Sequence, residues 1–272
     1  IYVAGSTGGN FSGQSKSGEL SDAFVAKYNP AGSNVWTRFI GFGSSTEAYA
    51  LTTGSDGTIY VTGITTGAFD GLATQSSAVF LATFNADGDR GWTEILQADA
   101  DIFGTALTIG SAGDVYVVGN STGNIDGQIN SGGVVAFLTK FSPNGSKAWT
   151  KLLDSTVGKG DYALADGTYP HVYEANDDGS IRSDEAIVWT SDLSARALAS
   201  GSRGEVYVAG TSFLSPIGST AFLSKYDAVG DEIWTQTLGL SIADEATALA
   251  VSRDGSLYIA GTTHSNSNDS NE

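Results

Sequence analysis

Phe137-Leu138-Thr139-Lys140-Phe141-Ser142-Pro143-Asn144-Gly145, followed at once by Ser146-Lys147-Ala148-Trp149-Thr150, reads as a strand, a tight turn and a returning strand. Phe137 and the apolar positions after it make the first strand. Pro143-Asn144-Gly145 supplies the turn, with glycine free to take φ > 0. The unit recurs as Phe24 to Trp36, Phe80 to Trp92 and Phe222 to Trp234. In each copy Gly follows Phe by eight residues and Trp follows Gly by four. Spacing held to the residue marks a repeat protein.

Outward from this unit two further elements repeat. Ile1 to Gly5, Ile59 to Gly63, Val115 to Gly119, Val206 to Gly210 and Leu257 to Gly261 are β-branched and aromatic runs ending on Gly, each a short strand. Ahead of the later copies stand Ala50-Leu51, Ala106-Leu107, Ala197-Leu198 and Ala248-Leu249, small and branched residues that suit an inner strand crowded near an axis. One cycle is therefore four strands, and Trp36 to Trp92 spans 56 residues. Four antiparallel strands per repeat of this length predict an all-β propeller built of four-stranded blades. About five blades are visible. One of them, about 161–193, is compressed and degenerate, although its Trp189 precedes a threonine as do the other four tryptophans. The propeller domain is expected over 1–263, with a polar disordered tail or linker at 264–272. A Tyr-Val-x-Gly-type strand at both ends leaves one strand too many for a five-bladed ring, so the chain either carries a flap or is cut from a larger ring.

Composition bounds the function. The 272 residues are 40% hydrophobic, enough to bury a core, and the 36 glycines against 4 prolines suit many tight turns. A formal charge of −17 repels nucleic acid and favours cations, basic partners or plain solubility. Cysteine and methionine are absent, which excludes disulfides, thiol catalysis and thiolate metal sites. No run approaches the roughly 18 apolar residues of a membrane helix, so no membrane span is expected. The chain opens on Ile1 inside a strand, which reads as a mature product or a fragment of something longer.

Asp22-Ala23-Phe24-Val25-Ala26-Lys27-Tyr28, the Asn-x-x-Gly turn, Trp36-Thr37, Ser55-Asp56-Gly57 before Ile59 to Gly63, and Asn124-Ile125-Asp126-Gly127-Gln128 resemble the bacterial and archaeal beta-propeller repeat family known as SBBP repeats. The likeness covers nearly the whole chain outside about 165–193 and the tail. It implies a propeller in secreted or surface-attached proteins, often beside adhesive or calcium-binding modules, and carries no shared catalytic residues.

Propeller topology puts short turns on one face and long connections on the other, where binding usually lives. The long-loop face collects acids, among them Glu47, Asp70, Asp101, Asp126, Asp161 and Glu245. Glu47, Asp101, Asp161 and Glu245 fall just before inner strands and are expected to ring the channel mouth. Three readings compete: a solvated acidic rim, a calcium site of converging oxygens, and paired catalytic carboxylates of a carbohydrate-active enzyme. Residues Glu174 to Glu185 place Asn176, Asp178 and Glu185 at calcium-loop spacing, but Glu174 and Arg182 break the pattern and a hairpin turn accounts for the stretch as well. Lys27, Lys140 and Lys225 recur at one blade position, with Thr83 in the second copy, which argues a structural role. The expected protein is a non-enzymatic scaffold or binding module, secreted or on the cell surface. Its long-loop face would meet a protein or glycan, with no cofactor required and Ca²⁺ as the one ion to test. The alternative is a carbohydrate-active propeller enzyme.

Overall fold

The computed structural model of the chain describes residues 1–15, 20–41, 45–67, 69, 74, 77–130, 133–153, 191–214, 218–238 and 243–263. These residues form strands and turns and no helix. The first sheet has three strands, β1 (Tyr2–Thr7), β2 (Asp22–Tyr28) and β3 (Asn34–Ile40). The second has four, β4 (Ser45–Thr53), β5 (Ile59–Thr66), β6 (Ser77–Phe84) and β7 (Arg90–Gln97). The third comprises β8 (Ile102–Ile109), β9 (Val115–Ser121), β10 (Val135–Phe141) and β11 (Lys147–Leu152). The fourth comprises β12 (Ser191–Ser200), β13 (Val206–Leu214), β14 (Gly218–Tyr226) and β15 (Glu232–Leu238). A last pair joins β16 (Glu245–Val251) to β17 (Leu257–Thr262). All ladders between the named strands are antiparallel and join strands adjacent in sequence, as blades require, and one isolated parallel bridge links Ser219 to Ala243. Among the described residues β1 pairs only with β2 and β17 only with β16, so the sheets are blade-like without a strand pairing that joins the two ends.

Each apolar cluster lies between successive sheets. Val25, Trp36 and Ile40 of the first sheet meet Ile59, Phe80 and Phe84 of the second. Leu81 and Leu96 meet Ile102, Val117 and Phe137 of the third, and Leu138 meets Leu193, Val206 and Phe222 of the fourth. Tyr207 and Leu223 then meet Ala246 of β16. With neighbours on both faces, every residue of β6 is buried. The third and fourth sheets pack as directly as the second and third do, although residues 154–190 intervene in sequence. Those residues, and with them most of the compressed blade expected over 161–193, lie outside the described residues; 191–193 open β12. The expected tail, 264–272, lies outside them too.

The repeat follows from two close approaches. In the inner strands β4, β8, β12 and β16, the ladder to the next strand slips by one residue at Tyr49, Thr105, Arg196 and Thr247, a β-bulge in every copy. The bulge drives an inner-strand carbonyl against the partner backbone. A Cβ added at Gly63, Gly119, Gly210 or Gly261 would sit 1.9, 1.9, 2.0 or 2.0 Å from the carbonyl oxygen of Glu47, Phe103, Ser194 or Glu245. Glycine stands inside the Tyr-Val-x-Gly strand, which runs one to four residues past it rather than ending there, because no other residue fits.

The second approach joins sheets. The indole of Trp36 lies on Gly88, that of Trp92 on Gly145 and that of Trp149 on Gly230, each within about 2.9 Å of where a Cβ would stand. All three glycines also hold positive φ, at 82°, 92° and 86°. Each turn is therefore the socket for the tryptophan of the preceding sheet. Tyr2, Tyr60, Tyr116 and Tyr207 flank Trp36, Trp92, Trp149 and Trp234 within their own sheets at 6.0, 6.0, 6.1 and 6.2 Å between ring centroids. The four described tryptophans serve packing, as their register implies.

Changing Gly119 to Ala is expected to cost about 3 kcal/mol or more in urea unfolding, since a methyl group must displace backbone. Gly57→Ala is the control: its φ is 84° but nothing lies within 4 Å of a new Cβ, so it should cost only about 1–2 kcal/mol. Equal costs would show that the close approach does not constrain the strand.

Candidate functional site

On the long-loop face the structure separates the acids that sequence position had grouped. Ala48, Gly104, Ala195 and Ala246 stand opposite the four close-approach glycines, which aligns the inner strands residue by residue. In that register Glu47 matches Phe103, Ser194 and Glu245, whereas Asp101 falls two positions earlier and matches Ser45 and Asp192. Glu47 and Glu245 thus share a level on two inner strands, and Asp101 lies at another. Asp70, Asp161, Asn176, Asp178 and Glu185 lie outside the described residues.

Four carboxylates of this face, those of Asp99, Asp101, Asp126 and Asp192, hold loops and sheets together. Asp101 accepts a hydrogen bond from Ser77 Oγ at 3.1 Å, and Ser77 Oγ accepts from the Ile102 amide at 2.9 Å, latching the third sheet to the second. Asp192 does the same between the fourth sheet and the third, accepting from the Val134 amide at 2.9 Å. In the first-to-second junction Ser21 and Ser45 bond through their hydroxyls at 2.9 Å, and Thr46 Oγ1 accepts from the Ala23 amide. Asp99 accepts from the amide and side chain of Asn124 at 2.6 and 2.7 Å.

Asp126 is a turn former. It holds φ 50° beside Gly127 at 77°, the pair that closes Ile125 onto Gln128, and it pairs with Lys147 at 2.5 Å. Gln128 then docks this loop on β11 by accepting from the Leu152 amide at 2.9 Å. The Phe11–Gln14 loop repeats the geometry with Ser12 at φ 48° in place of the aspartate. Glu47 accepts from Tyr49 Oη at 2.8 Å, at the bulge of β4. Tyr49 keeps 50% of its surface exposed, so it is partial desolvation first, then this bond and the Glu47 charge, that push its phenol up to about 12. Among the described residues no three His, Asp or Glu side chains gather as a metal-holding group.

The turn face holds a feature that sequence reasoning passed over. A cavity of about 300 Å³ opens beside β6, lined by Asp56, Tyr60, Thr83, Asp89, Trp92 and, from the third sheet, Pro143. Asp56 sits in a tight turn, where the Thr58 amide and then its hydroxyl hold the carboxyl below its usual range. Tyr60 is buried, and burial followed by the Asp56 charge pushes its phenol up. Trp92 Nε1 donates to the Pro143 carbonyl at 3.2 Å. The signal in the sequence was the one break in the lysine register, Thr83.

Comparisons with known proteins place few limits on function. No family model matches the chain. Over 151 residues, half of this chain, it is 30% identical to the regulatory protein FlaEY of Caulobacter vibrioides, and the match spans 16% of that protein's length. A solved structure of a protein of unknown function from Bacteroides caccae is similar over 95% of this chain and 64% of its own, at 10% identity and a TM-score of 0.43.

Because the Tyr49 phenol is raised in the folded state, its contribution to stability is complete below pH 10 and is lost as pH rises towards 12. Glu47→Gln removes the charge and should bring the phenol back towards its ordinary value in an ultraviolet titration. An unchanged midpoint would show that burial alone sets it.

Proposed function

We propose that the chain is a β-propeller, or the greater part of one, of the SBBP-repeat kind, and that it serves as a non-enzymatic binding scaffold in a secreted or surface-attached protein. The observation that carries this reading is the use made of the acids. Asp99, Asp101, Asp126 and Asp192 each accept hydrogen bonds or an ion pair that fix a loop or latch one sheet to the next. A catalytic pair would instead stand apart from such repeating structural duties. The scaffold offers long connections on one face between β1 and β2, β5 and β6, and β9 and β10, although only three residues join β13 to β14, and these are the surface for a protein or glycan partner. The net charge of −17 favours basic partners and cations. Calcium, at the acids of the long-loop face or at the separate calcium-loop spacing of Asn176, Asp178 and Glu185, is part of the proposal.

Thermal unfolding with EDTA and then with millimolar Ca²⁺ tests the calcium arm, since a ligand of the native state raises stability by mass action. A rise with Ca²⁺ that Mg²⁺ does not reproduce is the expected result for a calcium-dependent module, and no shift would remove the ion from the account. A polysaccharide panel tests the class. Binding without cleavage supports the scaffold, whereas release of reducing ends that Glu47→Gln or Glu245→Gln abolishes would establish the carbohydrate-active enzyme instead.

A further inference from the structure

The cavity beside Thr83 is where three other sheets keep a lysine. In the first sheet Lys27 Nζ stands 5.7 Å from the ring centroid of Tyr2 and donates to the Ala86 carbonyl of the second sheet at 2.8 Å. In the third, Lys140 Nζ lies 5.5 Å from the Tyr116 centroid, donates to the Ala228 carbonyl of the fourth sheet at 3.2 Å and pairs with Asp114 at 2.9 Å. In the fourth, Lys225 lies 5.3 Å from the Tyr207 centroid. The arrangement is an ammonium over the face of a tyrosine, with a carbonyl of the next turn as acceptor. Burial opposes the charge of Lys140, but the bonds to Asp114 and Tyr116 outweigh it and hold the ammonium above its ordinary value.

The second sheet keeps the tyrosine and the turn carbonyl of this receptor and lacks the two charged side chains. Tyr60 takes the place of Tyr2, Tyr116 and Tyr207, and Pro143 that of Ala86 and Ala228. Thr83 replaces the lysine and Thr58 replaces Asp114, so cation and counter-ion are lost together. The volume they vacate is the cavity of about 300 Å³, with Asp56 and Asp89 on its walls. Arg90 also borders the cavity, but its guanidinium is directed elsewhere. Arg90 stands opposite Phe84 in the ladder, so its side chain leaves on the other face of the sheet, where the guanidinium lies 5.6 Å from the Phe69 centroid.

We propose that this cavity is a receptor for a primary alkylammonium group, such as a free amine or the lysine side chain of a partner protein. The tyrosine face and the Pro143 carbonyl take the ammonium as their counterparts take Lys27 and Lys140, the alkyl stem follows the sheet as a lysine stem does, and Asp56 and Asp89 supply the negative field. The site lies on the turn face, opposite the loops that carry the scaffold reading, so the two proposals stand or fall separately.

Titration of the intact chain with n-butylammonium, followed by the five indole N–H resonances, tests it. The Trp92 resonance should shift saturably, with Kd on the order of millimolar for so small a ligand, while the other four stay in place. Thr83→Lys should abolish the response, and Thr58→Asp with Thr83→Lys, which rebuilds the Lys140–Asp114 pair, covers the case in which the single variant fails to fold. Asp56→Asn should weaken binding about two- to fivefold. A lysine-containing tripeptide that binds more tightly than butylammonium would identify the partner as a protein segment, and equal binding a free amine. No saturable shift, undiminished binding to the rebuilt variant, or an equal response to tetramethylammonium would overturn the proposal.

Discussion

An indole laid on the turn glycine of the next sheet is the contact on which the architecture depends. The turn requires a left-handed residue, which selects glycine, and the bare Cα then offers a flat seat that any side chain would fill. Trp36, Trp92 and Trp149 occupy three such seats in succession. Trp36 and Trp92 add a hydrogen bond from Nε1 to the carbonyl two residues before the glycine, at 3.2 Å in both cases. Each sheet therefore completes the turn of its successor. The same turn carries the carbonyl that Lys27 or Lys140 reaches, so one four-residue loop sets apolar packing, hydrogen bonding and cation placement together.

Much of this was legible in the sequence because glycine and tryptophan are constrained for reasons that act at a distance. The Phe-to-Gly-to-Trp spacing gave the hairpins, and the four-strand cycle gave the order of strands within each sheet. The glycines of the Tyr-Val-x-Gly strands were legible as a pattern, but their cause and the strand beyond them were not. Only the bulges at Tyr49, Thr105, Arg196 and Thr247 show that a carbonyl presses on each of them. Spacing along the chain also could not name the neighbour of Trp149. Trp36 docks 52 residues on, at Gly88, and Trp92 docks 53 on, at Gly145, whereas the indole of Trp149 docks 81 residues on, at Gly230.

The acids illustrate the limit for function. Counting residues before the inner strands grouped Glu47 with Asp101, but a two-residue offset in register puts them at different levels, and their partners differ: Tyr49 for one, Ser77 for the other. Conversely Thr83, which reads as a lapse in a lysine series, marks the described cavity beside Tyr60. In a repeat protein the informative position is the one where the repeat is broken, because the intact copies state what the broken one lacks.

The direct packing of the third sheet on the fourth is the central claim, and the absence of cysteine makes it testable without interference. Thr108 and Ser200, 92 residues apart, bring their hydroxyl oxygens to 3.4 Å across the two inner strands, and Ser200 Oγ also donates to the Ile109 carbonyl at 2.7 Å. A chain with Thr108→Cys and Ser200→Cys should oxidise spontaneously to an intramolecular disulfide, seen as faster migration without reductant, and the bond should raise Tm because it closes a long loop. Two thiols that stay free under mild oxidant would place the sheets apart and contradict the account.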